Sequence, residues 1–542
     1  MASTIGSTSS NTALTRVLRP SAVPHHLDRR AFLAASARIA AAAALAPLAA
    51  CTQASGPVKL DKDPFTLGVA SGDPLPDAVI LWTRLAMDPL HGGGMPSAPI
   101  EVAWTVARDE AMTDVAKSGT ANAIPELAHS VHVDVNGLEP DRMYWYRFRA
   151  GGIDSPIGRT RTAPAASASP SVLRFAFASC QNYTQGYYTA HAALAQEDLH
   201  AVVFLGDYIY EGDARGDRVR DYAKRGWAFT LADYRDRYAQ YKTDPNLRAS
   251  HAAFPWIATW DDHEVENNYA GGIDVNDPKN KQAVFERTNA YQAYYEHLPI
   301  RVARPSGPAL KLYRALSFGD LATFHILDTR QYRSPEVALC ADSAETPSGY
   351  CAPSLDPKRT MLGKEQRDWL ISGLGASHAA WNFVAQSVRF AQQDSSPDPA
   401  THHFDGVDNW MGYVADRQTL IEQFAKTKNA VVLSGDSHVD FVYDLKKDFS
   451  DPASPKVATE LLGTSISSEG DPLIPATQFD GSAKNPQLHF FDNHRGYVRC
   501  TLERGRLTAD FRAVSTVTAP TATASTLATF VVDDGKPGAH RA

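Results

Sequence analysis

Ala201-Val-Val-Phe-Leu-Gly-Asp-Tyr-Ile-Tyr210 decides how the rest of the chain reads. A short apolar run stops at a glycine and a carboxylate, as a strand buried on both faces does when it ends at a polar edge. The pattern recurs four times. Val172-Leu-Arg-Phe-Ala-Phe-Ala178 leads to Ser179-Cys180, and Trp256-Ile-Ala-Thr-Trp260 to Asp261-Asp262-His263. Ala322-Thr-Phe-His-Ile-Leu327 leads to Asp328-Thr329-Arg330, and Ala430-Val-Val-Leu433 to Ser434-Gly435-Asp436-Ser437-His438. Helical stretches, such as residues 188–199 and 364–373, intervene. Chance would scatter Asp and His among turns. Five strands that all stop at metal-capable residues instead predict an α/β sheet with its site along the carboxyl edge.

Upstream, residues 60–165 carry β signals. Ala78-Val-Ile-Leu-Trp82, Ile100-Glu-Val-Ala-Trp104, Ser130-Val-His-Val-Asp-Val135 and Met143-Tyr-Trp-Tyr-Arg-Phe148 are short and mostly alternating. The segment from Val135 through Asn-Gly-Leu-Glu-Pro resembles the closing hairpin of a fibronectin- or Ig-like sandwich. A loose Ala/Ser/Pro linker over 163–171 separates this small all-β domain from an α/β domain over 171–530.

Residues 1–50 read as an address. Arg29-Arg30-Ala-Phe-Leu before an Ala-rich, mildly apolar stretch resembles a twin-arginine export signal, and Leu48-Ala-Ala-Cys51 resembles a lipoprotein box with Cys51 as the lipidated residue. Export to the periplasm or the exterior makes a disulfide between Cys340 and Cys351 the expected fate of that pair, and Cys500 a buried core thiol. Cleavage without lipid is the alternative.

The 542 residues suffice for two or three domains, and 44% hydrophobic content supplies their cores. A net charge of −8 excludes a general clamp on nucleic-acid phosphates. No run approaches the roughly 20 apolar residues of a membrane-spanning helix, so a membrane is reached only through a lipid on Cys51.

The polar strand ends carry the chemistry. Asp207 can bridge two cations and Tyr210 can reach the same ion, its phenolate favouring ferric iron. Cys180 would be a strong thiolate donor. In Asp261-Asp262-His263-Glu264-Val265-Glu266-Asn267-Asn268, Asp262 or Asn267 can complete an oxygen shell and His263 can protonate a leaving group. Asp261 and Asn268 remain open alternatives as ligands. Asp436 and His438 alternate, so an extended segment would present both to one cation. Arg330 is a candidate fork for phosphate oxygens, with a solvated or carboxylate-paired arginine as the alternative.

These blocks resemble the metallophosphoesterase plan, and Tyr210 resembles purple acid phosphatases in particular. The closer likeness is to PhoD-type alkaline phosphatases. It runs through Gly68-Val-Ala-Ser-Gly-Asp-Pro74, Leu81-Trp-Thr-Arg-Leu85, Ala178-Ser-Cys180, Gly206 to Tyr210, Trp260 to Val265, Leu327 to Tyr332 and Ser434 to Val439. One departure is Met411 in Trp410-Met-Gly-Tyr413, where those sequences often carry an acid. The resemblance implies a layered core with two central sheets and a monomeric hydrolase of phosphate mono- and diesters. It also implies one ferric ion (Fe3+) with calcium (Ca2+). Cys180, Asp207 and Tyr210 would hold the iron, and Asn267, Asp436 and His438 would stand on the calcium side. A phospholipase D-like or teichoic-acid diesterase is the competing enzyme, and a non-catalytic binding lipoprotein the competing class. No P-loop is present, and Gly186 stands where a cysteine phosphatase would need an arginine after Cys180.

Overall fold

In the computed structural model, residues 59–542 are described, apart from 215, 217, 272–282, 336–348, 397, 399, 405, 474, 475 and 477–482. Three sheets organise them. The largest runs, edge to edge, β22 (Lys536–Arg541), β21 (Ala524–Asp533), β20 (Arg506–Val514), β19 (Gly496–Glu503), β9 (Val172–Ala178), β10 (Ala201–Phe204), β11 (Pro255–Ala258), β1 (Val69–Gly72), β2 (Ala78–Arg84) and β5 (Ser130–Asn136). The second runs β12 (Arg314–Phe318), β13 (Ala322–Ile326), β14 (Trp381–Ala385), β15 (Ala430–Ser434), β17 (Lys456–Leu462), β16 (Asp440–Lys446) and β18 (Leu488–Asp492). The third is β4 (Val115–Ala123), β3 (Ile100–Ala107), β6 (Met143–Ala150) and β7 (Ile153–Asp154), with β8 (Gly158–Arg161) also on β6.

The first two sheets stack face to face. Phe175 and Phe177 of β9, Val203 of β10, Phe324 of β13, Phe383 of β14 and Leu433 of β15 share one buried cluster. Phe175 meets Phe324 and Phe383 edge-on at 5.1 and 5.3 Å, contacts worth about 0.5–1.5 kcal/mol each beyond their buried area. Alternate residues of the same strands point outward. Ala176, Val202 and Phe204 pack under α1 (Thr189–Leu194), α2 (Leu231–Lys242), α3 (Pro245–Ala253) and α4 (Ala283–His297). Val384 and Val432 pack under α5 (Gly363–Ala376) and α6 (Val414–Phe424). Both faces being covered is why these strands read as unbroken apolar runs rather than alternating ones. The result is the two-sheet layered α/β core that the sequence implies.

The β-rich N-terminal portion differs in one respect from the expectation of a separate sandwich. Its third sheet does pack on β1, β2 and β5, through Val79, Leu81, Val102, Val133, Tyr146 and Phe148. But β1 also pairs in parallel with β11, Ser71 against Pro255 and Gly72 against Trp256, so the inner layer of the sandwich continues the central sheet. The expected closing hairpin does not form either. β5 pairs with β2, and β6 pairs with β3. Leu138 is buried in the core between them, which draws the connecting segment across the end of the sandwich.

Cys500 is a buried free thiol on β19, as expected. Cys351 is disulfide-bonded, while Cys340 and Cys51 lie outside the described residues. Among the described residues no helix is long and apolar enough to cross a membrane.

One buried side chain, stacked on Phe204 of β10 and Trp256 of β11, has a consequence for acid stability. His191 donates from Nε2 to Gln181 Oε1 at 2.7 Å, and its Nδ1 has no partner. Burial pulls the imidazole down to about 3 from its ordinary 6.5. The unfolded chain therefore takes up the proton first, and this contribution to stability is full above pH 6.5 and lost as the pH falls toward 3. In urea unfolding, the difference between wild type and His191→Gln should move in the variant's favour by about 1.4 kcal/mol per pH unit below 6.5. Parallel stability curves would mean that His191 is already protonated in the folded chain.

Candidate metal centre

Parallel pairing aligns the carboxyl ends of β9, β10 and β11 in one sheet and of β13, β14 and β15 in the other. Two glycines then bring the strand ends together. A Cβ on Gly206, after β10, would lie 2.4 Å from the Asp261 backbone nitrogen. A Cβ on Gly435, after β15, would lie 2.4 Å from Ser179 Oγ, beside Cys180. The first contact joins neighbouring strand ends within a sheet, and the second joins the two sheets.

The residues that follow turn sharply. Cys180, Asp207, Asp436 and His438 all have φ between 55° and 63°, a left-handed conformation that costs a non-glycine residue about 1 kcal/mol or more and persists only where its surroundings impose it. Hydrogen bonds impose it here. The Cys180 N–H donates to Gly206 O at 3.0 Å. The Glu264 carboxylate accepts from the N–H groups of Asp207, Tyr208 and Asp261 at 3.1, 2.6 and 2.8 Å, tying the ends of β10 and β11 to one side chain.

Two adjoining clusters result. In the first, Cys180, Asp207 and His438 each place a ligand atom within 4.8 Å of the others. Tyr210 Oη lies 2.8 Å from Asp207 Oδ2 and 3.1 Å from His438 Nε2. In the second, Asp261, Asp262 and Asp436 converge equally closely, and Asp207, Asp262 and His263 form a group between the two. His438 therefore joins the thiol, carboxylate and phenol, not Asp436. The segment carrying both bends at positive φ instead of running extended, so the two side chains diverge.

Asp262 and Asn267 separate just as clearly. Asp262 accepts from the Asn268 N–H at 2.7 Å through Oδ2, and its Oδ1 is buried without a partner. Asn267 is exposed, and its backbone N–H donates to Glu211. Arg330, expected as a phosphate fork, is fully buried among carboxylates. Its Nε and Nη2 grip both oxygens of Asp261, and its Nη1 donates to Asp408 at 2.8 Å. Asp262 and Asp436 stand 3.7 and 3.6 Å away. Its donors are thus already engaged by acids, the carboxylate-paired alternative.

The donor set suits cations. Burial, reinforced by neighbouring acids, pushes the Asp207 and Asp436 carboxyls well above the ordinary range. Burial also pushes the Cys180 thiol up, with Asp207 adding to it. Arg330, Arg333 and His263 do not balance Asp207, Asp261, Asp262, Asp408 and Asp436. A thiol, a carboxyl, a phenol and an imidazole in one cluster, beside an oxygen-only cluster with an orphaned carboxylate oxygen, match a softer-plus-hard pair of sites.

His263 flanks the clusters, its ring 4.1 Å from that of Tyr210. Burial pulls its imidazole down, but Glu211, Asp262 and Asp207 outweigh burial and hold it well above its ordinary value. Its Nδ1 donates to Glu211 Oε2 at 2.8 Å, which fixes the ring.

Residues 175–511 match the family model of the PhoD-like phosphatase, and residues 50–164 that of the PhoD-like phosphatase N-terminal domain. The chain belongs to the PhoD-like phosphatase family. It is 44% identical over 527 residues to alkaline phosphatase D of Bacillus subtilis (strain 168), covering 95% of this chain and 89% of that one. Among solved structures it matches one described as the structure of PhoD, with a TM-score of 0.84 and 44% identity over 89% of this chain and 93% of that one. Membership makes the chain a phosphatase, consistent with its candidate metal-binding groups.

Four side chains around this PhoD-like centre carry roles that sequence reading did not assign: Glu211, Glu264, Asp408 and Ser468. Glu211 sits beside a quoted motif and Glu264 inside one, but Asp408 lies 78 positions from Arg330 with no local pattern to mark it.

If strand-end contact builds the centre, Gly206→Ala should cost about 1–3 kcal/mol or more through overpacking. It should also abolish metal retention, read by elemental analysis. Gly505→Ala, where nothing lies within 4 Å of the added carbon, should do neither. Retention of metal by Gly206→Ala would mean the strand ends can separate without loss of the site.

Proposed function

We propose that the chain is an exported, metal-dependent hydrolase of phosphate monoesters and diesters, with a ferric ion held by Cys180, Asp207, Tyr210 and His438. Calcium is assigned to Asp262 and Asp436, with Asp207 between the two. The observation that carries this reading is the convergence of a thiol, a carboxylate, a phenol and an imidazole on one point, next to a purely carboxylate cluster. Asn267 is left out of the set because it is exposed. When bound, the cations supply positive charge to phosphoryl oxygens and a water acidified enough to attack phosphorus.

The chain's own residues do the remaining work. His263 gives its proton to the departing oxygen as the bond to phosphorus breaks, and Glu211 keeps Nδ1 occupied so that the transferable proton lies on Nε2. Arg330 acts as a positioning residue. It orients Asp261 and Asp408 and offsets part of the charge of Asp262 and Asp436. Removing it would leave buried carboxylates uncompensated, a cost of several kcal/mol. Export is assigned to Arg29-Arg30 and anchoring to a lipid on Cys51, with Cys340 and Cys351 as the disulfide.

Protein purified from its own export route should contain iron together with calcium and show a phenolate-to-iron absorption. Tyr210→Phe should lose that absorption and most turnover; a fully active, coloured Tyr210→Phe variant would overturn the iron assignment. His263→Asn should slow hydrolysis of alkyl phosphates by about 10²–10⁴-fold, yet affect nitrophenyl phosphates far less, because nitrophenolate leaves without a proton. Equal losses on both would remove His263 as the acid. Comparing nitrophenyl monoester with nitrophenyl diester turnover reads which ester class the pocket prefers.

A further inference from the structure

The segment that follows β17, residues 463–470, closes over the first cluster without contributing a ligand to it. Its backbone is pinned to the end of β9. The Ile466 N–H donates to Ser179 O at 3.0 Å, and the Ser467 and Ser468 N–H groups donate to Cys180 O at 3.4 and 3.3 Å. Ser467 Oγ donates to Asn182 O at 2.9 Å. Arg495 braces the other side, donating from Nη1 to His438 O at 2.5 Å and to Ser465 Oγ at 2.8 Å. This packing leaves Ser468 with no exposed surface.

The direction of the Ser468 hydroxyl follows from its partners. Its Oγ accepts from the Asn182 N–H at 3.0 Å, and a backbone N–H can only donate. A serine hydroxyl has one proton, and that proton is aimed at Tyr210 Oη, 2.7 Å away. The other polar neighbours of Tyr210 Oη are Asp207 Oδ2 and His438 Nε2, both placed by the proposed function among the metal ligands. Once Tyr210 has lost its own proton to become a ligand, Ser468 supplies the hydrogen bond that its oxygen retains.

We propose that Ser468 is a positioning and tuning residue for the Tyr210 phenolate, drawing electron density from its oxygen and so setting how strongly that oxygen donates to the metal. The inference rests on the reading of Tyr210 as an iron ligand. A hydrogen bond to a phenolate lowers the energy of its donor electrons, which raises the energy of phenolate-to-metal absorption and raises the reduction potential of the metal. Removing the bond does the opposite. The effect needs no change of ligand set, because Ser468 reaches the oxygen through its hydroxyl proton, 2.7 Å between oxygens, and is not itself among the proposed ligands.

The test uses the full chain purified with its native metals, in wild type, Ser468→Ala and Ser468→Thr. Visible absorption, tyrosinate resonance Raman bands and the metal's potential are measured at matched iron content. Ser468→Ala should keep its iron, move the absorption to longer wavelength and lower the potential. Ser468→Thr, which keeps a hydroxyl, should stay near wild type. If the Ala variant does not load metal, Ser468→Cys, a weaker donor, should show a smaller shift in the same direction. A coloured wild type whose absorption is unmoved in Ser468→Ala, or in Ser468→Cys where Ala does not load, overturns this inference alone. A colourless, iron-free wild type overturns the iron reading and the inference with it.

Discussion

The centre exists because strand ends from two stacked sheets approach to within a distance that admits no side-chain carbon. Gly206 lies on the Asp261 backbone and Gly435 lies on Ser179. Without the first contact, Asp207 cannot reach Asp262; without the second, His438 cannot reach the β9 and β10 ends, nor Asp436 the β11 end. The left-handed residues after the strands follow from the same closeness, since a chain leaving such a junction has to turn at once. Stacking of the sheets through Phe175, Phe324 and Phe383 sets the separation at which the junction forms.

Charge is the second constraint, and it follows from the first. Strand ends drawn this close bring Asp207, Asp261, Asp262 and Asp436 together, with Asp408 beside them, and mutual repulsion works against the fold. The chain offsets part of this with Arg330, whose planar fork meets Asp261 on two nitrogens and Asp408 on a third. Lysine, a single point charge, could not serve both. Arg333 adds a second guanidinium on Asp408 at 2.6 Å. What remains lies chiefly on Asp207 and Asp436, whose carboxyls are pushed above the ordinary range and which a cation can neutralise.

Much of this was readable in the sequence, for a physical reason. A strand covered on both faces has to be apolar throughout, so β9, β10, β11, β13 and β15 announced themselves, and the polar residue at which each run stops marked the functional edge. The continuity of β1 with β11 left no such mark, because Gly72 and Trp256 are far apart in sequence and either could have ended an edge strand. The same applies to conformation. Nothing in Gly-Asp-Ser-His shows that Asp436 and His438 adopt positive φ, and without it the two were read as partners rather than as members of different clusters. Glu264 was visible as one acid among several, yet its task depends on N–H groups from two loops. Arg330 was legible as a charge at the site but not as a charge already spent.

The path of the chain through the large sheet bears on how the protein is made. β9, which delivers Cys180, lies between β10 and β19. The latter begins at Gly496, more than 300 residues downstream. A ribosome has therefore synthesised most of the chain before β9 has both of its neighbours, and Gly463 to Gly470 arrive only shortly earlier. The sheet around β9 is therefore completed late, with β1 and β19 standing on opposite sides of β9 to β11. A chain interrupted before that point presents an unfilled slot beside β9, with the hydrogen-bonding edge of a strand on show.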